Sequence, residues 1–199
     1  MIRKPAKTDR GIPPTIESRR AVETAHVWDL FVRLFHWSLV LSFGLAWLTR
    51  HTSNAIHYWA GYAAAALVAM RLLWGVLGTP YARFSQFIRG PKAVAHFIFA
   101  MLKGRESRHI GHNPAGGAMI LALLTAMSTT ALTGWLMTTN AFFGVGWVEA
   151  AHSLSADGLL LLIAMHVAGV AFASLRHREN LIGAMITGQK RKACAEDIA

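Results

Sequence analysis

One cysteine, Cys194, occurs in the 199 residues, and it stands in the C-terminal tail. A single thiol excludes a disulfide framework, a cysteine-ligated iron–sulfur site and a C-x-x-C-H motif for covalent cofactor attachment. Charge is scarce as well: 15% of residues are charged, against 54% apolar. No repeat at a fixed period and no low-complexity tract is present, which sets aside solenoids and unfolded polar chains. What fills the space is apolar sequence in four long runs, about 29–48, 58–77, 115–137 and 150–175. Each can cross a hydrocarbon core of about 30 Å, which takes roughly 20 helical residues. A soluble domain of this size has room to bury one such helix, not four. The chain reads as an integral membrane protein.

The formal charge of +10 invites a nucleic-acid reading, but its distribution argues against one. Six of the 20 Lys and Arg precede Val27, six lie between Tyr81 and His109, and five follow Leu175. The connection 49–57 holds only Arg50, and 138–149 holds no Lys or Arg. By the positive-inside rule, both termini and the long middle connection are cytoplasmic and the two short connections lie outside. The basic runs then act as topology determinants touching anionic lipid headgroups; no nucleic-acid partner is expected.

The expected organisation is all-α, a four-helix transmembrane bundle with a short amphipathic helix between the second and third spans. Residues 1–26 are polar and carry Pro5, Pro13 and Pro14, so they are expected to form a loose cytoplasmic arm. The long basic stretch, a near-complete apolar span and no A-x-A-like site make the N-terminus a poor cleavable signal, so its apolar run is read as the first span. Residues 27–191 form the transmembrane domain and 192–199 a tail. Within the long connection, Val94, Phe97, Ile98, Met101 and Leu102 recur at helical spacing between charged ends, predicting a helix over 91–103 lying on the interface. Asn113-Pro114 is a helix start. Phe142–Trp147 suits the outer interface.

Ten histidines are present, and most fall in connections, where a solvated imidazole needs no special role. Four lie at membrane depth, where an ionisable ring is costly and marks a functional candidate. His152 and His166 are fourteen residues apart, so one helix carries them on nearly one face, roughly 21 Å apart. His36 lies in the inner half of the first span, and His57 opens the second at the outer surface. Depth pairs His57 with His152 outside and His36 with His166 inside. Paired imidazoles are axial ligands for haem iron and leave it six-coordinate, which suits electron transfer rather than substrate binding. Without a covalent attachment motif, two b-type haems are implied. Gly44, Gly61 and Gly169, with Ala156, stand near these rings and leave room for a flat macrocycle or for ordinary helix packing. Arg71, at the inner level, has two readings: a fork onto a haem propionate or a side chain snorkelling to headgroups. Asp29 and Arg33, one turn apart, are expected to pair. His112 is a candidate group on the quinone side.

The motifs RLFHW (33–37), HYWAGY (57–62), RLLWG (71–75), RFSQFIRGP (83–91), GHNPAGG (111–117), TALTGW (130–135) and RENLIGAMITGQKR (178–191) resemble the bacterial cytochrome b561 family, which includes the cytochrome b subunits of nickel–iron hydrogenases. The resemblance covers nearly the whole chain. It implies a four-helix b-type dihaem protein of the inner membrane that exchanges electrons between the quinone pool and a redox partner. It also implies His36, His57, His152 and His166 as axial ligands. The partner is left between a hydrogenase-like enzyme and a small c-type cytochrome, since the chain is short and lacks a distinctive hydrogenase-docking insert; self-association is left open. Two other functions compete. One is a superoxide-oxidising quinone reductase, with Arg50 and His51 as the outer cationic attraction. The other is a non-redox anchor or transporter whose histidines move protons or metal ions.

Overall fold

The computed structural model describes residues 24–192; the expected loose arm before Thr24, and most of the tail with Cys194, lie outside the described residues. Four helices are long and apolar enough to cross a membrane: α1 (Leu30–Thr49), α2 (Asn54–Leu77), α5 (Pro114–Met137) and α6 (Gly146–His177). Two short helices, α3 (Phe84–Phe87) and α4 (Pro91–Leu102), lie in the long connection, and α7 (Leu181–Thr187) follows α6. Strands β1 (Thr24–His26) and β2 (Gln189–Arg191) pair antiparallel, with Ala25 opposite Lys190.

The helix starts follow local chemistry. Asp29 Oδ1 accepts from Val32 N at 2.8 Å and caps α1. Asn113 Oδ1 accepts from Gly116 N at 2.7 Å, with Pro114 as the first helical residue of α5, where a missing N–H costs nothing. Ser53 caps α2, which therefore begins four residues before the apolar run that announced it. The start of α6 likewise reaches back into the aromatic turn, to Gly146.

Packing is uneven. Side by side, α1 runs with α2, α2 with α5 and α5 with α6, whereas no comparable backbone packing joins α6 to α1 or α2. The middle of the bundle is filled by Phe35, Ala64, Val68, Leu124, Met127 and Leu159. Over its 32 residues α6 buries only Val148 and Leu159. Its outer surface is apolar, as in Leu154, Leu161 and Val167, which suits a lipid environment where burial is not the measure of satisfaction.

A clasp closes the end that carries both described termini. The β1–β2 pairing ties the last part of the expected arm, Thr24–His26, into the fold, and Val27 N and Trp28 N continue it by donating to Gly188 O at 2.9 and 3.2 Å. Glu179 accepts from Arg108 Nη2 at 2.7 Å and lies 3.6 Å from Lys190 Nζ, which donates to Ile110 O at 2.9 Å. All three side chains are at most 8% exposed. Burial alone would raise the Glu179 carboxyl; the Arg108 hydrogen bond and the Lys190 and Arg108 charges hold it below its ordinary value. The clasp joins the long connection, the end of α6 and both strands.

Candidate functional site

His57, in the first turn of α2, and His152, on the second turn of α6, face each other with ring centroids 6.2 Å apart and planes at 81°. Each ring is held from behind. His57 Nδ1 meets Ala46 O at 2.8 Å, and His152 Nδ1 meets Thr130 O at 3.0 Å. A carbonyl only accepts, so both rings donate from Nδ1, and the neutral form of each carries its lone pair on Nε2. Thr133 Oγ1 adds a contact to His152 Nδ1 at 3.3 Å while its own hydrogen serves the carbonyls of Thr129 or Thr130. Gly134 completes the seat: any Cβ there would press on the His152 ring.

At the opposite end of the bundle, His36 on α1 and His166 on α6 come within electrostatic reach of one another. His36 Nδ1 is buried without a hydrogen-bond partner. Between the two histidine levels lies the packed middle of the bundle.

Arg71 sits on the buried stripe of α2 with Ala60, Ala64, Val68 and Gly75 and is 4% exposed. Nη2 donates to Ala82 O at 3.1 Å, the guanidinium lies 5.2 Å from the Phe84 ring, and Nη1 is buried without a partner. The side chain therefore points into the protein toward the Pro80–Ala82 turn and is shielded from solvent. The expected Asp29–Arg33 pair does not form. Asp29 caps α1 with one oxygen, and the other accepts from Trp74 Nε1 at 3.2 Å and from Thr79 Oγ1. Helical spacing pointed to Arg33, but tertiary donors win. Although burial would raise the Asp29 carboxyl, the bonds from Thr79, Val32 and Trp74 and the Arg71 charge hold it below its usual value.

His112 is closed between Trp28 and Phe87, at 4.5 and 4.8 Å between ring centroids. Burial, then the charges of Arg71, Lys190 and His166, push it down to about 3, so the ring is neutral. Arg50 lies 4.1 Å over the Trp47 ring and donates Nη1 to Trp47 O.

At Gly44, Gly61 and Gly169 an added Cβ would meet nothing within 4 Å. These glycines border open space rather than a tight helix crossing, which sets them apart from Gly75, where Phe84 fills the room. Among the described residues no three His, Cys, Asp or Glu side chains gather to hold a bare metal ion; an iron porphyrin brings four nitrogens and asks the protein for two.

Sequence reasoning missed Gly134, the Thr130 carbonyl and the Ala46 carbonyl. Only Gly134 left a signal, as a glycine on the third span at the depth of His152.

The family model described as prokaryotic cytochrome b561 matches residues 27–188, which takes in all four spans and all four histidines. The chain belongs to the prokaryotic cytochrome b561 family, whose members are membrane b-type cytochromes that transfer electrons. No curated protein matches the chain.

Proposed function

We propose that the chain is a dihaem cytochrome b of the bacterial inner membrane. It would relay electrons between the quinone pool and a redox partner, either a c-type cytochrome or a hydrogenase-like enzyme. The observation that carries this reading is the His57–His152 pair. An iron held by two imidazoles has metal–nitrogen bonds of about 2 Å, and a ring nitrogen lies about 1 Å from its centroid, so the centroids should stand about 6 Å apart. The measured separation is 6.2 Å. The bonds at Nδ1 favour the same conclusion, because a backbone acceptor there fixes the tautomer, orients the ring and raises the basicity of Nε2.

His57 and His152 would hold the outer haem, and His36 and His166 the inner one. Each haem, when bound, supplies a one-electron iron couple and no open coordination position. Gly44, Gly61 and Gly169 leave the width that a macrocycle needs beside its ligands. Arg71 holds a buried cation whose Nη1 lacks a partner, a donor suited to an inner propionate. α6 contributes one histidine to each level and has a close backbone neighbour only in α5 among the other spans, so each haem would join it to the α1–α2 pair. The basic termini support a cytoplasmic placement of the clasp end, with the outer pair beneath the opposite surface, and α4, which exposes Phe99 and Leu102, would lie along the cytoplasmic interface.

The test is His36→Ala, read by haem-to-protein ratio and a reduced-minus-oxidised spectrum. The expected result is a fall from about two haems per chain to about one, with the outer-haem spectrum kept. A variant that keeps its full haem content ends the assignment.

A further inference from the structure

A polar pocket of about 380 Å³ opens at the clasp end, walled by Arg176, His177, Arg178 and Arg191 together with Glu106, Ser107 and Arg108. Its charges do not cancel. Arg176 Nε binds Glu106 Oε1 at 2.9 Å, and Arg108 is committed to Glu179. Arg178 and Arg191 are both exposed, and neither side chain has an ion pair among the described residues. Arg178 is also the one described non-glycine residue with a positive φ, 49°, at the position that ends α6. Glycine ordinarily takes that conformation because any Cβ is strained there. An arginine at such a cap directs a long cationic side chain where the helix stops.

Exposed aliphatic side chains stand near the pocket's residues along the chain. Leu175, next to Arg176, is 81% exposed, and Leu102 is 75% exposed. Leu102 lies two residues before Gly104, whose carbonyl accepts from Arg176 Nη2 at 2.6 Å. On α7, Ile182 and Ile186 are exposed one turn apart, on the same helix face. Arg178 and Arg191, without ion pairs among the described residues, and neighbouring exposed aliphatic side chains where a spanning helix ends match a ligand that is anionic at its head and aliphatic in its tail.

We infer that this pocket is a binding site for the phosphate group of an anionic phospholipid, held by Arg178 and Arg191 with its acyl chains along Leu175 and Leu102. Basic pockets at membrane depth between helix ends bind such headgroups. The site is separate from the histidine levels and does not depend on the electron-transfer reading.

Native mass spectrometry of the full, delipidated, cofactor-loaded protein in detergent tests it, with phosphatidylglycerol and phosphatidylethanolamine as probes and inorganic phosphate as competitor. Wild type should retain phosphatidylglycerol in preference to phosphatidylethanolamine, and a large excess of inorganic phosphate should not displace it. The double variant Arg178→Gln/Arg191→Gln should bind phosphatidylglycerol roughly 30-fold more weakly, the effect of two surface cations, while Arg50→Gln at the opposite end should leave it unchanged. Should the double variant be recovered poorly, Arg191→Glu alone carries the same expectation of weakened binding. Equal retention of the two lipids, or undiminished binding by the variants, overturns the inference. Ready displacement by inorganic phosphate would assign the pocket to a free anion and overturn it equally.

Discussion

A methyl group built on Gly134 would stand 2.9 Å from Cε1 and 3.2 Å from Nδ1 of His152. Gly134 and His152 are on different helices, so the close approach of α5 to α6 is what sets the imidazole against Thr130 O. Gly134→Ala should improve intrinsic helix stability by up to about 1 kcal/mol and yet disturb the site. The expected outcome is loss or spectral alteration of the outer haem with the inner one kept. An unaltered difference spectrum at full haem content would show that the ring has room to spare.

Gly61 and Gly169 make the converse case, because open space lies where their side chains would be. Gly61→Leu and Gly169→Leu should fold without the cofactor as well as wild type, since the added Cβ meets nothing within 4 Å and the side chain starts into open space. Each should lower bound haem by about one per chain by occupying the slot, as measured by pyridine haemochrome assay against protein mass. Stoichiometric haem in both would mean that the macrocycles lie elsewhere.

Arg71→Gln removes a buried cation while keeping a hydrogen-bond donor for Ala82 O. A positive charge nearby favours the reduced, less positive iron, so its loss should lower one of two midpoint potentials. The size expected is on the order of tens of millivolts, the scale of one charge screened by an effective dielectric of about 20. A redox titration resolving both haems reads this directly, and two unmoved potentials would place Arg71 away from either haem.

Glu179→Gln should loosen the clasp, because Arg108 and Lys190 lose the carboxylate they share, a charge-assisted contact of about 2 kcal/mol. The native carboxyl titrates below its ordinary value near 4.5. Its contribution is therefore complete above that value and fades as acid carries the native group through its lower one. His112 acts over a higher range: with an ordinary value of 6.5 pushed to about 3, it makes stability fall as pH drops below 6.5, since only the unfolded chain takes up the proton. Thermal unfolding in detergent should show the wild-type and Glu179→Gln melting temperatures converging at the acid end, with His112 common to both. Parallel curves throughout would remove Glu179 from the account.

The spans were legible because a bilayer demands some twenty apolar residues in a row, a signal carried by adjacent residues. The histidine levels were legible for a related reason: helical rise converts sequence position to depth, and depth alone brought His57 to His152. Side chains with tertiary donors were not legible. Asp29 looked like a partner for Arg33 because the two are four apart, but Trp74 and Thr79 reach it from the end of α2. The clasp was invisible because three-residue strands from opposite ends of the chain carry no periodicity that distinguishes them from loop. Arg71 fell between these cases: its depth could be read, but its burial depends on the neighbours of α2.

With α5 as its sole close backbone neighbour among the spans, α6 meets α1 and α2 through side chains alone, with Leu159 at the centre. On the proposed reading, threading into the bilayer would need no porphyrin, and the hold of α6 on the first two crossings would tighten when one binds.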